Sequence, residues 1–485
     1  MTLRAKTLSG FRWTASVRLA SQVISWAITL LVVRILTPAD YGLLAMATAF
    51  IMFFQMFAEL GLGPALVQKA ELGLDMMKQT FGIVLAINVG LALILFLAAP
   101  LIAAFYSEPK VTLLIRVLSL QFLLGALNVI PSVQLLRRME YRSRSLLDLI
   151  ETILASCTTL GVAWAGGGVW SLVAGTFVGQ ILHTIGMNWL SPFPHLPSFS
   201  LKGMRSVLTF GGNMTLAGMI GMFCAQSDTF IGARILGNEL YGFYSVGVNL
   251  ASLPSQKLNG LVNGVAFPAF SSIQGDLARV SQYVLLGIRV LACFAFPVLW
   301  GMSSIAPEIV EVILGPKWMM SILPLQVLAL VVPLRIFANF VGTATQGLGR
   351  TDLTLRNTCR ALLIGPPLLF LGTSVGGLTG LSLVSLIIAP AVYLPFYVSC
   401  APVLGLRPRQ FFQALSSPAG AALIMYAAVF AVRHLIGDEL HGAMRMCVLI
   451  AVGALSYLGA SLVIDRKGAL QVLDVVRSIV VTKRA

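Results

Sequence analysis

Apolar positions in this chain do not alternate. They run on for about 20 residues at a time, from one end to the other, with short polar punctuation between. A run of that length crosses a bilayer as an α-helix. Barrel strands would alternate apolar and polar residues instead. The pattern predicts an all-α integral membrane protein with about fourteen transmembrane helices, near 15–36, 42–62, 80–105, 112–135, 147–165, 169–190, 206–235, 242–270, 282–304, 321–346, 358–375, 378–400, 417–436 and 444–464. The second and eighth runs are interrupted, by Gly61, Gly63 and Pro64 and by Pro254, Gly260, Gly264 and Pro268. Interruptions at matching positions of two halves point to a transport site; close helix packing through small residues is the plainer reading. The first run follows Arg4, Lys6 and Arg12 and lacks a small-residue cleavage pattern. It is therefore expected to remain as a span.

A repeat organises the runs. Arg34-Ile35-Leu36, a short turn and Tyr41-Gly42 return as Arg234-Ile235-Leu236, a turn and Tyr241-Gly242. Further echoes follow in order: Ala99-Pro100 with Ala306-Pro307, Val117-Leu118 with Val327-Leu328, and Gln134 and Arg138 with Gln346 and Arg350. The expected organisation is an N-lobe of six helices at 1–190, a linker at 191–205 and a C-lobe of six at 206–400. An appended pair at 401–464 and a basic tail at 465–485 complete it. Six is even, so the lobes form a parallel pseudo-repeat about an axis along the membrane normal. The space between such lobes is the natural substrate site, and their rocking alternates its access.

Composition agrees: 58% of the 485 residues are hydrophobic and 11% charged, against about 25% charged in soluble domains. The net charge of +15 raises a nucleic-acid role, which the placement of the charges argues against. With the N-terminus inside, most Lys and Arg fall on inner segments, among them Arg137, Arg138, Lys202, Arg205, Arg407 and Arg409. That is the positive-inside pattern, and it puts both termini in the cytoplasm. The six cysteines lie in or beside apolar runs without pairing or metal spacing, as small buried hydrophobes do. His183, His195, His434 and His441 are scattered. No phosphate loop, dinucleotide fingerprint, zinc motif or nucleophile elbow is present. The sequence thus offers no catalytic residue, metal site or cofactor, and the outer loops leave no room for an enzymatic domain.

The informative residues are charges within apolar runs, each costing about 2.5–3.5 kcal/mol or more at a helix centre. They are Arg18, Glu59, Asp228, Lys257, Arg289 and Arg335. Basic residues predominate, so a cavity they line would draw an anion, and phosphate suits Arg and Lys. Lys257, beside Gln256 and Asn259, is the leading cavity cation, followed by Arg18, Arg289 and Arg335. Asp228 and Glu59 are candidates for gating or ion coupling. Each has a plainer reading as an interfacial anchor or a structural ion pair. Arg34 and Arg234, near outer helix ends, fit snorkelling anchors.

Several segments resemble one family. They are Arg34 to Gly42, Ala99 to Tyr106, Phe267-Pro268-Ala269-Phe270-Ser271, Leu314-Gly315-Pro316-Lys317-Trp318 and Gln346-Gly347-Leu348-Gly349-Arg350. Together the chain resembles the Wzx-type lipopolysaccharide and exopolysaccharide exporters. These form the polysaccharide-transporter branch of the superfamily that also holds the multidrug and toxin extrusion (MATE) transporters and lipid II flippases. The resemblance implies two lobes of six helices in a bacterial inner membrane. It implies translocation of an undecaprenyl-pyrophosphate-linked oligosaccharide to the outer leaflet, with the cavity cations holding the head group. It also implies membrane lipid as a partner, and a polysaccharide polymerase and glycosyltransferases as candidate protein partners. The rival readings are a drug or metabolite exporter of the same fold and a membrane glycan polymerase.

Overall fold

A computed structural model of the protein describes residues 21–22, 24–58, 73–138, 141–200, 205–436, 440–466 and 468. Helices carry nearly all of them, and no strand occurs among the described residues. The order is α1 (Ile24–Ile35), α2 (Pro38–Ala58), α3 (Leu74–Tyr106), α4 (Lys110–Ser119), α5 (Gln121–Arg138), α6 (Tyr141–Trp164), α7 (Val169–Leu190) and α8 (Arg205–Ser272). Then come α9 (Leu277–Ser304), α10 (Ala306–Ile309), α11 (Ile322–Gly347), α12 (Thr351–Leu383), α13 (Ser385–Cys400), α14 (Pro408–Ile436) and α15 (Gly442–Ile464). Ten described helices or helix pairs are long and apolar enough to cross a bilayer. The chain is a multi-pass helical membrane protein.

Glycine, not proline, sets the sharp breaks. In α8, Gly237 leaves helical geometry at φ 79° and ψ 179°, and in α12 Gly377 does so at φ 55° and ψ −135°. Only glycine takes such values without steric cost. These two breaks fall between predicted spans seven and eight, and eleven and twelve. The interruptions expected at Pro254 and Pro268 are corrected by the structure, because the second limb of α8 is helical through both. Proline removes one backbone bond, and hydroxyls can serve the carbonyls nearby. Ser252 Oγ donates to the Asn249 carbonyl at 2.9 Å and Ser255 Oγ to the Ser252 carbonyl at 2.8 Å. The interruption expected at Gly61, Gly63 and Pro64 lies outside the described residues.

Contacts divide the chain into two compact units, Met1–Gly242 and Phe243–Ala485. In the first unit α6 packs along α7, and α3 against α4 and α5. The stretch after α7 is tied to α3, where the Ser198 N–H donates to the Lys78 carbonyl at 2.9 Å. Phe193 meets Phe81 edge-on, ring centres 6.2 Å apart. In the second unit α9 packs against α11 and α14, and α14 against α15. Trp318, Phe337 and Tyr397 are fully buried there. Trp300 Nε1 donates to the Leu330 carbonyl at 3.1 Å and Ser303 Oγ to the Gln326 carbonyl at 2.9 Å, fixing α9 against α11.

Candidate functional site

The two copies of the repeat motif meet each other inside the first unit. A Cβ on Gly42 would lie 1.7 Å from the Asn238 carbonyl oxygen, and one on Gly242 would lie 1.8 Å from that of Pro38. Residues 38 and 42 thus exchange contacts with 238 and 242, each matching its partner at an offset of 200. Such reciprocity is the mark of a two-fold contact between like surfaces. The packing continues down α2 and the first limb of α8. Phe50 meets Phe230 at 5.0 Å between ring centres, Gln226 Nε2 reaches Met52 Sδ at 3.6 Å, and the Met56 methyl would meet a Cβ on Gly218 at 2.2 Å.

Asp40, just before Tyr41, has a role the sequence reading missed. One carboxylate oxygen accepts from the Thr37 N–H at 2.9 Å and the Thr37 hydroxyl at 2.7 Å, capping α2. Its other oxygen accepts the Val169 N–H at 2.9 Å, capping α7. The spacing Thr37-x-x-Asp40 is a capping signal; the long-range half of the role has no local signature.

Arg234 lies one turn before Gly237, near the end of the first limb of α8. It is exposed, donates to Ser107 Oγ at 2.8 Å and sits over the Phe105 ring at 6.0 Å. Asp228, about two turns earlier on the same limb, is half-buried within electrostatic reach of Tyr106, and its carboxylate accepts the Thr229 N–H at 2.8 Å. Tyr106 in turn joins an aromatic cluster with Phe50 and Phe105. Elsewhere in the unit, Gln55, Asn88 and Gln121 line a small cleft, with Phe122 and Gly125 on its wall. Asn88 is buried and donates to the Ala58 and Val84 carbonyls at 2.9 and 2.8 Å.

The predicted cavity cations have different surroundings. Arg18 and Glu59 lie outside the described residues. Lys257 lies on the second limb of α8, and its side chain is outside the described part. Arg289, on α9, is half-buried one turn before Cys293, whose carbonyl accepts from the Tyr457 hydroxyl of α15 at 3.2 Å. Arg335, on α11, is exposed and within electrostatic reach of Tyr393 of α13. Arg289 therefore belongs to the neighbourhood of α15 and Arg335 to that of α13.

Two charged clusters were not foreseen. In the second unit Glu308 is 4% exposed. Arg433 Nε donates to its Oε1 at 3.0 Å, and Arg433 Nη2 to its Oε2 at 2.5 Å. Arg445 Nε lies 3.4 Å from Oε1. Arg433 also donates to the Ser304 carbonyl. These residues form a latch between α10 and the helices α14 and α15. In the first unit His183 Nδ1 lies 2.9 Å from Glu151 Oε2, and Asp148 places an oxygen within 4.8 Å of both. The sequence spacing set His183 aside as scattered, because the acids lie some thirty residues away on α6.

Against known proteins, a family model described as "Polysaccharide biosynthesis protein" matches residues 31–323. The teichuronic acid biosynthesis protein TuaB of Bacillus subtilis is 24% identical over 94% of this chain and 95% of its own. The lipopolysaccharide biosynthesis protein WzxC of Escherichia coli is 27% identical over 86% of each. The succinoglycan biosynthesis transport protein ExoT of Rhizobium meliloti is 28% identical over 65% of this chain and 64% of its own. Among solved structures, the lipid II flippase MurJ in an inward closed conformation superposes with a TM-score of 0.74 at 15% identity, covering 93% of this chain and 98% of that one. An inward-facing multidrug-resistance MATE transporter gives 0.61 at 15% identity, over 80% and 98%.

Proposed function

The chain belongs to the polysaccharide biosynthesis protein family, and on that premise we propose that it is a flippase for lipid-linked oligosaccharide. The cargo is an undecaprenyl-pyrophosphate-linked glycan moved from the cytoplasmic to the outer leaflet of a bacterial inner membrane. One observation carries the reading: the family match runs through helices built to cross a membrane, so the contribution to polysaccharide synthesis is passage through the bilayer. The fold shared with a lipid II flippase supports it.

In this reading the chain has fourteen spans, two six-helix lobes at 1–190 and 206–400, and cytoplasmic termini. The sugar–pyrophosphate head enters a cavity while the polyprenyl tail stays in lipid. Lys257, Arg18, Arg289 and Arg335 offset the cost of taking the pyrophosphate out of water. Asp228 and Glu59 serve gating or coupling. The lobes then rock to release the head outside. Glycosyltransferases supply the cargo and a polymerase consumes it.

Deleting the gene tests this. Lipid-linked oligosaccharide should accumulate on the cytoplasmic face, and a plasmid copy should restore surface polysaccharide. Unchanged surface polysaccharide in the deletion strain would refute the proposal. A drug exporter of the same fold is disfavoured by the excess of basic over acidic intramembrane residues. Resistance to cationic drugs should not change in the deletion strain.

A further inference from the structure

We propose that Arg116, on α4, holds the phosphate of an anionic phospholipid at the lipid-facing surface of the first unit. The site goes beyond the flippase reading and does not rest on it. α4 packs on α2 and α3 through Val111, Leu114, Ile115 and Leu118, which are buried. At about 100° per residue, Arg116 stands on the opposite side of the helix, between Leu113 and Leu120, both exposed. Its guanidinium lies over the ring of Phe96 on α3, 5.0 Å from the centroid. Phe96 is 42% exposed, and Leu93 and Leu97 beside it are exposed too. On helices that cross a bilayer, an apolar stripe left uncovered by protein faces lipid.

An arginine on such a stripe calls for an anion. Its Nε is covered by protein and finds no hydrogen-bond partner among the described residues. No carboxylate among them lies within ion-pair distance of it. The Phe96 ring offsets part of the cost of the charge. The edge formed by the two Nη groups is left to meet a ligand from the bilayer, and a phosphate takes such a pair of donors. Snorkelling to water is the plainer role for the side chain, and the geometry argues against it. Phe96 lies ten residues before the end of α3, about 15 Å by helical rise. A side chain reaching for water at the α3–α4 turn would leave that ring behind. α3 has 33 residues, about 50 Å of helix against about 30 Å of hydrocarbon. Centred in the bilayer, it puts Phe96 about 5 Å inside the hydrocarbon edge, where local thinning brings a headgroup phosphate to the guanidinium.

The fold itself does not require the charge. In the repeat, Val117-Leu118 echoes Val327-Leu328, which sets Gln326 at the place of Arg116. Lys110, exposed at the start of α4, adds a positive charge nearer the turn, and Glu108, half-buried in the turn, sets one negative charge against the two. The surplus favours a headgroup of net negative charge over a zwitterionic one.

The test is a lipid titration. Full-length protein, stripped of lipid in mild detergent, is titrated with dioleoyl phosphatidylglycerol and read by native mass spectrometry. Dioleoyl phosphatidylcholine and dioleoylglycerol serve as the zwitterionic and the phosphate-free controls. Wild type should bind its first phosphatidylglycerol more tightly than either control, and about fivefold more tightly than Arg116→Gln binds it, the worth of one basic residue at a membrane surface. Phosphatidylglycerol should also raise the Tm of wild type and leave that of Arg116→Gln unchanged. Equal binding by the two proteins, or no preference of wild type over dioleoylglycerol, overturns the site in favour of a snorkelling side chain. A lower lipid-free Tm for Arg116→Gln with undiminished lipid binding overturns it in favour of a packing role. Undecaprenyl phosphate at equal concentration should not displace phosphatidylglycerol; displacement overturns the phospholipid assignment and gives the site to a polyprenyl phosphate. If Arg116→Gln fails to fold, Phe96→Leu is titrated in its place. That change removes the ring beneath the guanidinium, and undiminished binding by it overturns the site.

Discussion

Substituting Gly42 by alanine puts the contact between the repeat motifs to a quantitative test. The new methyl would sit 1.7 Å from the Asn238 carbonyl oxygen and 2.6 Å from its carbon. A carbon and a carbonyl oxygen rest about 3.3 Å apart or more, so the two segments must separate by roughly 1.5 Å. The obstacle is backbone, which no rotamer change can move. Overpacking of this kind costs about 1–3 kcal/mol, and a backbone clash belongs at the upper end. A unit of 150–250 residues loses about 2–4 °C of Tm per kcal/mol. Gly42→Ala should therefore lower the apparent Tm of the detergent-purified protein by roughly 5–10 °C at a fixed scan rate. Gly242→Ala, 1.8 Å from the Pro38 oxygen, should do the same. Both push apart the same two segments, so the double variant should lose clearly less than the sum. An unchanged Tm for either single variant, or full additivity in the double, would show that the reciprocal packing does not hold these segments together.

Other outcomes follow from the same structure. Asp40→Ala uncaps α2 and α7 at once and should cost about 1–2 kcal/mol for each cap, read as a larger Tm loss than Thr37→Ala gives. Glu308→Ala leaves two half-buried arginines without their carboxylate and should destabilise by up to about 3 kcal/mol, the low end of the range for a fully buried pair. Arg445→Ala, whose contact is longer, should cost visibly less in the same melting assay. Lys257→Ala should abolish surface polysaccharide while the protein stays in the membrane; full export would remove Lys257 from the cavity.

The membrane class and the helix positions were legible because hydrocarbon imposes one coarse rule, twenty apolar residues per crossing, that a sequence displays directly. The Arg-Ile-Leu…Tyr-Gly repeat was legible as a repeat, but that its copies pack on each other depends on Gly42 and Gly242 lacking a Cβ where two backbones cross. Pro254 and Pro268 misled, since local propensity marks them as interruptions while the second limb of α8 stays helical through both. The pairing of Glu308 with Arg433 and Arg445 was not legible, because burial by distant helices leaves no trace in local hydropathy. His183 looked isolated for a similar reason. Its partners lie across a helical hairpin, where three and four residue spacings on two helices must be brought into register before they show a cluster.

The latch at Glu308 bears on how such a chain can change over time. Arg433 lies on α14 and Arg445 on α15, the two helices that begin at Pro408 and Gly442. Because Arg433 and Arg445 are the counter-charges of a carboxylate that is almost fully buried, the helix carrying Glu308 relies on α14 and α15. A version shortened before Pro408 would strand Glu308 without either arginine. Loss of the pair is then open only to a lineage that has first replaced Glu308 with an uncharged residue. Shorter relatives should carry a neutral side chain at that position, and the double change, Glu308→Gln with truncation, should tolerate what truncation alone does not.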